Sequence, residues 1–374
     1  MLRSCPVFRR TAAAAPLVLC VTACGGGGSP TAPPEPTQPG FDVVAVVYYD
    51  ENSDGRVDPG ETVRMPDVDL QVGSRTGRTE GAGRAVITGV PAGSPSVVVR
   101  AASLPPFYTA PVPVPATVPQ PAGSDVMVGL QLPIGFNRPN TYMGFGDSIT
   151  VGEGSSDDGG YRDRLEAKLR QRLGKATVIN QGLSGTRSNA GAQRIHQVLP
   201  AERPAYTLIL YGTNDWNQSE CKTAFPCFTI DSLRSIVRTV RGAQSLPLLA
   251  TIPPCNLGMD DRCPPSRQQW IHDMDELIRQ MAREEGAVVA DVEAAFLAHP
   301  PLSALLVDHI HPNDAGYEIM ASEFFEAITK PVTTAAAAPE PAVAFGFVRP
   351  VTPDGAPSPR DVARRVQPRP ATGE

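Results

Sequence analysis

Four short polar motifs, each at the end of an apolar run, contain the residue types that acyl transfer requires. They are Gly-Asp-Ser-Ile-Thr at 146–150, Asn-Gln-Gly-Leu-Ser-Gly at 180–185, Gly-Thr-Asn-Asp at 212–215 and Asp-His-Ile-His-Pro at 308–312. A serine hydroxyl is a weak nucleophile and needs a base that removes its proton during attack. The four motifs together therefore predict nucleophilic catalysis, although any one of them could be an ordinary turn.

A role can be assigned to one residue or more in each motif. Ser148 is the candidate nucleophile, His311 its base, and Asp308 the carboxylate that accepts a hydrogen bond from the other ring nitrogen and fixes the tautomer. Attack produces a tetrahedral oxyanion, which needs positioned donors. The side-chain amide of Asn214 and the backbone N–H groups of Ser148 and Gly185 are predicted to supply them. Glycine at 185 would let the backbone approach the substrate closely.

The last motif also permits other interpretations. Asp308, His309, His311 and Asp314 offer nitrogen and oxygen ligands for a metal ion, but such a site would leave the serine and the asparagine without a role. His309 is a rival base, although it sits directly beside Asp308, where neighbouring side chains diverge.

The four motifs closely resemble those of the SGNH (GDSL-type) hydrolase family, over roughly residues 140–330. The resemblance implies an α/β class fold, a three-layer α/β/α sandwich with about five parallel strands. It also implies the roles given above for Ser148, Gly185, Asn214, Asp308 and His311. Such enzymes hydrolyse esters and thioesters of lipids, acylated sugars and small acyl compounds, and their catalysis needs no cofactor. Isoleucine replaces the usual leucine after the serine.

Apolar runs alternate with amphipathic stretches over the same region, as is typical of a parallel sheet covered by helices. Strands are predicted at residues 141–145, 177–180, 206–211, 247–252 and 288–291. Helices are predicted at residues 161–173, 230–243, 266–285 and 314–328, the first with a leucine at every fourth position. The first three motifs then follow the first three strands, at the edge where open α/β sheets bind ligands.

The N-terminal segment predicts export. Residues 1–23 have three arginines followed by an apolar run too short to span a membrane, which is the layout of a signal peptide. The run ends in Val-Thr-Ala-Cys, which resembles a bacterial lipobox, so Cys24 is the predicted lipidation site and residues 24–40 a Gly/Pro-rich tether. The expected location is the bacterial cell envelope, periplasmic or surface-facing, with anchoring through the lipid. An ordinary signal peptide with an incidental cysteine is the alternative.

The net charge of the chain limits the kinds of partner that it is expected to bind. Removal of residues 1–23 takes away three arginines and no acids, so the formal net charge moves from −6 to −9. An acidic exported protein has no basic surface for nucleic acid. The predicted partners are an acyl-ester substrate and, through Cys24, a membrane.

Residues 41–133 predict a separate small β-sandwich, with strands at 43–49, 68–72, 85–90 and 96–101. Residues 50–61 satisfy a twelve-residue calcium-loop pattern with glycine at its sixth position. The predicted ligands are Asp50, Asn52, Asp54, Asp58 and Glu61, with the carbonyl of Arg56. No flanking helix is evident, and the stretch resembles the calcium-binding loops of prealbumin-like B repeats in bacterial surface proteins. A structural calcium ion is predicted, with an acidic surface turn as the alternative.

The four cysteines beyond Cys24 flank loops near the predicted site. Cys221–Cys227 and Cys255–Cys263 is the favoured pairing, although four cysteines allow three arrangements. Free thiols or a zinc site are the alternatives.

Other segments have two interpretations each. Trp216 could form a wall of the substrate pocket or pack in the core, and residues 152–160 could form a substrate rim or a solvated connection. The proline-rich residues 104–121 predict either an edge loop or polyproline II, and residues 331–374 are predicted to be disordered.

The favoured function is an exported, lipid-anchored serine esterase that deacylates substrates through an acyl-enzyme, with acetylated carbohydrates preferred. A lipase or lysophospholipase-type acylhydrolase is one alternative. A non-catalytic surface-binding protein, in which the β module carries the function, is the other.

Overall fold

The computed structural model describes residues 40–331. The strands are β1 (Phe41–Tyr49), β2 (Asp69–Val72), β3 (Arg75–Arg78), β4 (Arg84–Val90), β5 (Ser96–Val99), β6 (Val114–Pro115), β7 (Val126–Leu130), β8 (Arg138–Gly146), β9 (Thr177–Gly182), β10 (Pro204–Leu210), β11 (Leu246–Ala250) and β12 (Val288–Ala290). The helices are α1 (Ser148–Val151), α2 (Gly160–Leu173), α3 (Ser188–Glu202), α4 (Ser219–Thr223), α5 (Thr229–Gly242), α6 (Pro265–Glu285), α7 (Val292–Leu297) and α8 (Asp314–Thr329).

A five-stranded parallel sheet with the order β12-β11-β10-β8-β9 carries the predicted site. Every residue of β10 and β11 is buried, as expected for parallel strands that are covered on both faces. All five predicted strands are confirmed, and their ends differ from the prediction by at most three residues.

Alternate residues of the central strand β8 face opposite sides of this sheet, as the two-residue period of a strand requires. Tyr142 lies in a buried cluster with residues of α2 and α8, whereas Met143 and Phe145 lie in a second buried cluster with residues of α3, α5 and α6. Helices therefore cover both faces, and the predicted three-layer α/β/α sandwich is confirmed. The four predicted helices are present as α2, α5, α6 and α8, while α1, α3, α4 and α7 are additional.

Strands β1 to β7 form two smaller sheets, with orders β4-β1-β7 and β3-β2-β5-β6. Their inward residues, including Val43, Leu70 and Val97, share one buried apolar core, which confirms the predicted β-sandwich. Strand β1 is antiparallel to β4 but parallel to β7. The residues of β7 lie about eighty positions further along the chain than the residues of β1 with which they pair. The proline-rich residues 104–121 contribute β6 to the edge of the second sheet, which favours the edge-loop interpretation. The likeness to prealbumin-like B repeats stays a prediction.

The β-sandwich and the α/β/α region contact each other within residues 40–331. The ring of Phe107 packs edge-on against Tyr206 of β10, with ring centroids 6.3 Å apart. Glu51, the second residue of the acidic loop, accepts a hydrogen bond of 2.8 Å from the side-chain amide of Asn140 and one of 2.9 Å from Lys175. The acidic loop therefore lies against the α/β/α region, with one carboxylate occupied by that contact.

Several predictions concern residues outside the described range. The signal peptide at 1–23, the lipidation site at Cys24, nearly all of the tether at 24–40 and the tail beyond Pro331 lie there, and all of them stay predictions. Within residues 40–331, no helix is both long enough and apolar enough to cross a membrane.

Candidate active site

Three neighbouring strands of the parallel sheet end at the same level and deliver three of the four motifs to one edge. Gly146 at the end of β8 is in register with Gly182 of β9 on one side and with Leu210 of β10 on the other. The chain runs from β8 to β9 and then crosses to β10 on the opposite side of β8. A sheet that reverses its winding in this way leaves a crevice at the carboxyl ends of its strands. The motif placement predicted from the sequence is confirmed.

Ser148, His311 and Asp308 form a continuous hydrogen-bonded chain across this edge. Ser148 Oγ lies 2.9 Å from His311 Nε2, although the two residues are 163 positions apart. His311 Nδ1 lies 2.8 Å from Asp308 Oδ2. The imidazole tautomer with its hydrogen on Nδ1 donates to Asp308 and leaves Nε2 free to accept the serine proton, as general-base catalysis requires.

Asp308 is held in its ionised form by the turn in which it lies. Burial raises the pKa of this carboxyl, but hydrogen bonds from the His311 backbone and side chain and from the Ile310 backbone outweigh burial and lower the pKa to about 2. The Oδ1 atom accepts the two backbone N–H groups at 2.7 and 2.8 Å, which leaves Oδ2 for the imidazole. The carboxylate of Asp308 is therefore negative at neutral and mildly acidic pH.

His309 does not take part in this chain. Its side chain is buried, its Nδ1 has no hydrogen-bond partner in the described part of the chain, and the nearest carboxylate oxygens, on Asp308 and Asp260, are 3.9 Å away. Burial lowers its pKa, which favours the neutral ring. Asp314 is turned towards Ser156 and Arg164 instead of the histidines. The structure therefore supports His311 as the base and turns Asp314 away from the other three residues of the alternative metal site.

The backbone donors expected for the oxyanion are free. Among residues 40–331, the N–H groups of Ser148 and Gly185 donate to no protein acceptor. Gly185 has a φ of +70°, a conformation that side chains with a Cβ rarely adopt, and a Cβ placed there would project into open space. The backbone conformation thus favours glycine at 185, while the close approach to the substrate stays a prediction.

Asn214 lies at the site, but both hydrogens of its amide are already used. Nδ2 donates to Asp147 Oδ2 at 3.1 Å and to the carbonyl of Thr186 at 3.0 Å. An amide nitrogen has only two hydrogens, so Asn214 must release or share one of these bonds to stabilise an oxyanion. The role of Asn214 as an oxyanion donor stays a prediction.

Asp147 is a site residue to which the sequence assigned no role. Its carboxylate is fully buried between Asn214 and the start of α1, where Oδ1 accepts the Ile149 N–H at 3.0 Å. Burial and the nearby charge of Asp215 raise the pKa of Asp147 to about 7, against the lowering effect of these hydrogen bonds. Asp147 thus positions both the helix that carries the nucleophile and the asparagine. The feature of the sequence that could have indicated this role is the position of Asp147 directly before Ser148.

Trp216 and the cysteines stabilise the loops beyond β10 and β11. Trp216 is 9% exposed and packs against Trp270 with ring centroids 5.9 Å apart, which favours the packing interpretation over a pocket wall. The predicted disulfide pairing is confirmed, since Cys221 is bonded to Cys227 and Cys255 to Cys263.

The loop at residues 152–160 reaches the site through Glu153. Its Oε2 atom lies 3.4 Å from His311 Nε2, the nitrogen that faces the serine. This placement favours the rim interpretation for the beginning of the loop. No sequence pattern singled out Glu153, because its position depends on how the chain turns after α1.

The acidic loop at 50–61 has a different arrangement, in which side chains bond to the loop's own backbone. Asp50 accepts from the N–H groups of Asp54 and Gly55, Asp54 accepts from Arg56, and Glu61 accepts from Asp58. The side-chain amide of Asn52 also donates to Asp58. Among residues 40–331, no three His, Cys, Asp or Glu side chains are grouped so as to hold a metal ion. The calcium ligands predicted here stay a prediction.

Residues 145–319 match the GDSL-like Lipase/Acylhydrolase family. The chain is similar to thioesterase 1/protease 1/lysophospholipase L1 of Escherichia coli (strain K12), with 30% identity over 120 residues, which are 32% of this chain and 54% of that protein. It therefore spans about half the length of that relative. It is also similar to acetylxylan esterase of Geobacillus stearothermophilus, with 26% identity over 162 residues, 40% of this chain and 71% of that protein.

Among solved structures, the chain is similar to the lipase/acylhydrolase from Enterococcus faecalis. The identity is 22% and the TM-score 0.44, over 52% of this chain and 99% of that one.

Proposed function

We propose that this chain is a serine ester hydrolase, since residues 145–319 match the GDSL-like Lipase/Acylhydrolase family. The observation that carries the proposal is the unbroken sequence of contacts from Ser148 Oγ to His311 Nε2, at 2.9 Å, and from His311 Nδ1 to Asp308 Oδ2, at 2.8 Å. These contacts join a nucleophile, a base and an orienting carboxylate at a sheet edge next to unpaired backbone donors.

In the first half of the proposed reaction, Ser148 Oγ attacks the ester carbonyl carbon while its proton passes to His311 Nε2. The carbonyl oxygen becomes an oxyanion and accepts hydrogen bonds from the N–H groups of Ser148 and Gly185, with Asn214 as a third donor. The carbon–oxygen bond to the alcohol then breaks as the imidazolium gives its proton to the leaving oxygen. Asp308 stabilises the imidazolium throughout.

In the second half, a water molecule attacks the acyl group on Ser148. His311 again accepts the proton and returns it to the serine oxygen, so that the acid is released and the enzyme restored. The reaction as written uses only side chains, backbone and water.

Short acyl groups on carbohydrates are the proposed substrates. The similarity to acetylxylan esterase supports this choice, as does the β-sandwich packed against the hydrolase region, a module suited to holding the enzyme near a polymer. A thioesterase or lysophospholipase activity on longer acyl chains is the second candidate, favoured by the similarity to the Escherichia coli protein.

Export, lipid anchoring at Cys24 and a structural calcium ion in the acidic loop are parts of the same proposal. They are supported by the sequence of residues 1–24 and by the ligand spacing in residues 50–61. The resulting enzyme would act on acyl esters at the surface of the membrane to which it is attached.

The test is hydrolysis of p-nitrophenyl esters of increasing acyl length by the purified chain and by its Ser148→Ala variant. The proposal predicts turnover of the acetyl ester that falls as the acyl chain lengthens and disappears in the variant. Rates that rise with chain length would favour the second candidate. Turnover that survives in the variant would exclude Ser148 as the nucleophile, and no turnover by a folded wild-type chain would favour a binding protein.

A further inference from the structure

The carboxylate of Glu153 lies at the reacting nitrogen of the base. Its Oε2 atom is 3.4 Å from His311 Nε2, which is the atom that takes the serine proton and later gives it to the leaving group. Its Oε1 atom accepts a hydrogen bond from the hydroxyl of Ser184, the neighbour of Gly185. The carboxylate therefore bridges two of the four motifs directly over the site.

The backbone of Glu153 is anchored on both sides. Its N–H donates to the carbonyl of Ser148 at 3.1 Å, and its carbonyl accepts from the hydroxyl of Tyr317 at 2.7 Å. The next residue, Gly154, has a φ of +95°, and a Cβ there would lie 2.5 Å from the carbonyl oxygen of Pro312. The loop is thus closely packed against the segment that carries the base, and the side chain of Glu153 starts from a fixed point.

No structural ion pair accounts for this carboxylate. Within residues 40–331, no lysine or arginine nitrogen lies within 4.0 Å of it, and His311 is its one partner of basic character. The side chain is nevertheless 43% exposed, so it faces the solvent-filled side of the site. A charged group that is both open to solvent and adjacent to the reacting atoms will meet the substrate.

The position of Glu153 determines which part of the substrate it meets. The leaving oxygen must come within hydrogen-bonding distance of His311 Nε2 to receive its proton. A group 3.4 Å from that nitrogen therefore lies beside the alcohol portion of the ester, whereas the oxyanion donors of Ser148 and Gly185 lie beside the carbonyl.

Resting on the function proposed above, we propose that Glu153 selects the alcohol portion of the substrate. Its carboxylate accepts a hydrogen bond from a hydroxyl of an uncharged, polyhydroxylated leaving group such as a sugar. It also repels leaving groups that carry a phosphate or carboxylate near the ester, because like charges at close range oppose binding. Such a preference favours carbohydrate over phospholipid substrates, since the alcohol portion of a lysophospholipid carries an anionic phosphate.

The test compares two acetyl esters, an acetylated methyl xyloside and acetyl glycerol phosphate, in the wild-type chain and in Glu153→Gln. This substitution keeps the size of the side chain and removes its charge. We expect the ratio of kcat/KM for the xyloside over the phosphate to fall by about tenfold or more, as for the loss of a hydrogen bond to a charged group. The matched control is Asp157→Asn, which removes the same charge from the same loop but lies in the pair with Arg164, and we expect it to leave the ratio unchanged.

An unchanged ratio in Glu153→Gln, including a uniform loss on both esters, would overturn the assignment and make Glu153 a positioning residue for His311. A ratio that shifts equally in Asp157→Asn would also overturn it, because the effect would then be one of net charge. If the wild-type chain hydrolyses neither these esters nor p-nitrophenyl acetate, it is the proposed function itself that fails.

Discussion

The predicted catalytic site at the edge of the parallel sheet and the acidic loop at residues 50–61 are both short polar motifs in the sequence. In the structure, however, their side chains find very different hydrogen-bond partners. At the edge, Ser148 meets a histidine 163 positions away. In residues 50–61, most of the polar bonds join atoms that are at most six positions apart, such as Asn52 to Asp58. Side chains that bond to their own turn do so in many turns. Convergence of distant segments requires the whole fold, and it is the stronger indication of chemistry.

The largest expected effect separates the two histidines of the last motif. We expect His311→Ala to lower kcat by roughly 10⁴-fold or more, since the serine loses its base. His309→Ala removes a ring of the same kind two residues earlier and should retain kcat within about tenfold, because His309 contacts no reacting group. Ester hydrolysis by both variants, with thermal unfolding as a control for folding, measures the difference. Equal losses in two folded variants would contradict the assignment of the base.

The next largest expected effect is on the pH dependence of stability, through the buried carboxyl of Asp147. Its pKa is about 7 in the folded chain and about 3.9 when unfolded. Between these values the folded state binds the proton more tightly, so this group's contribution to stability is fully present below about pH 4 and is lost as the pH rises through 7. The loss amounts to roughly 4 kcal/mol. Asp147→Asn should remove that slope.

Urea unfolding between about pH 4.5 and 7.5 measures the free energy of unfolding of the wild-type protein and of Asp147→Asn. The difference between the two curves isolates the contribution of Asp147 from that of the other buried acids. Parallel stability curves for the two proteins would show that Asp147 is not titrating in this range.

A smaller effect is expected for the third oxyanion donor. Asn214→Ala should lower kcat by roughly 10²–10³-fold if its amide turns to the oxyanion. Both hydrogens of the amide are engaged before the reaction. A fall in kcat of less than about tenfold would therefore mean that these hydrogens stay bonded to Asp147 and Thr186 and do not turn to the oxyanion. Steady-state kinetics on p-nitrophenyl acetate distinguishes the two results, and Thr223→Ala, an exposed site on α4, serves as the control.

The smallest effect tests the acidic loop. If residues 50–61 bind calcium, ion at ten times its dissociation constant should stabilise the chain by about 1.4 kcal/mol, which raises Tm by roughly 2–4 °C. Asp54→Asn together with Asp58→Asn should abolish the shift, and magnesium should not replace calcium. The Tm is measured by differential scanning calorimetry. If calcium does not raise the Tm of the wild-type chain, the loop is an acidic turn, and its difference from the predicted catalytic site is larger still.

Much of the sheet was predictable because the central strands β10 and β11 are apolar runs in which every residue is buried. Helix α3 was not predicted, since Ser188–Glu202 begins with small and polar residues and contains Pro200 near its end. The pairing of β7 with β1 also escaped prediction, because it joins residues that are far apart in the chain and no local pattern encodes it.

Within the site, residue identity and spacing were enough to place Ser148, Asp308 and His311. The roles of Asp147 and Glu153 were not predictable, since one depends on burial and the other on the path of the loop between Gly152 and Gly154. The engagement of both Asn214 hydrogens likewise depends on atoms brought in from other segments.

The most direct test of the account is labelling of the purified chain with a fluorophosphonate, followed by mass spectrometry of its peptides. Such a reagent reacts with a serine whose hydroxyl is activated by a base. The account predicts one adduct, on Ser148, which is absent in Ser148→Ala and forms far more slowly in His311→Ala. An adduct on another residue, or labelling that neither substitution changes, would contradict it.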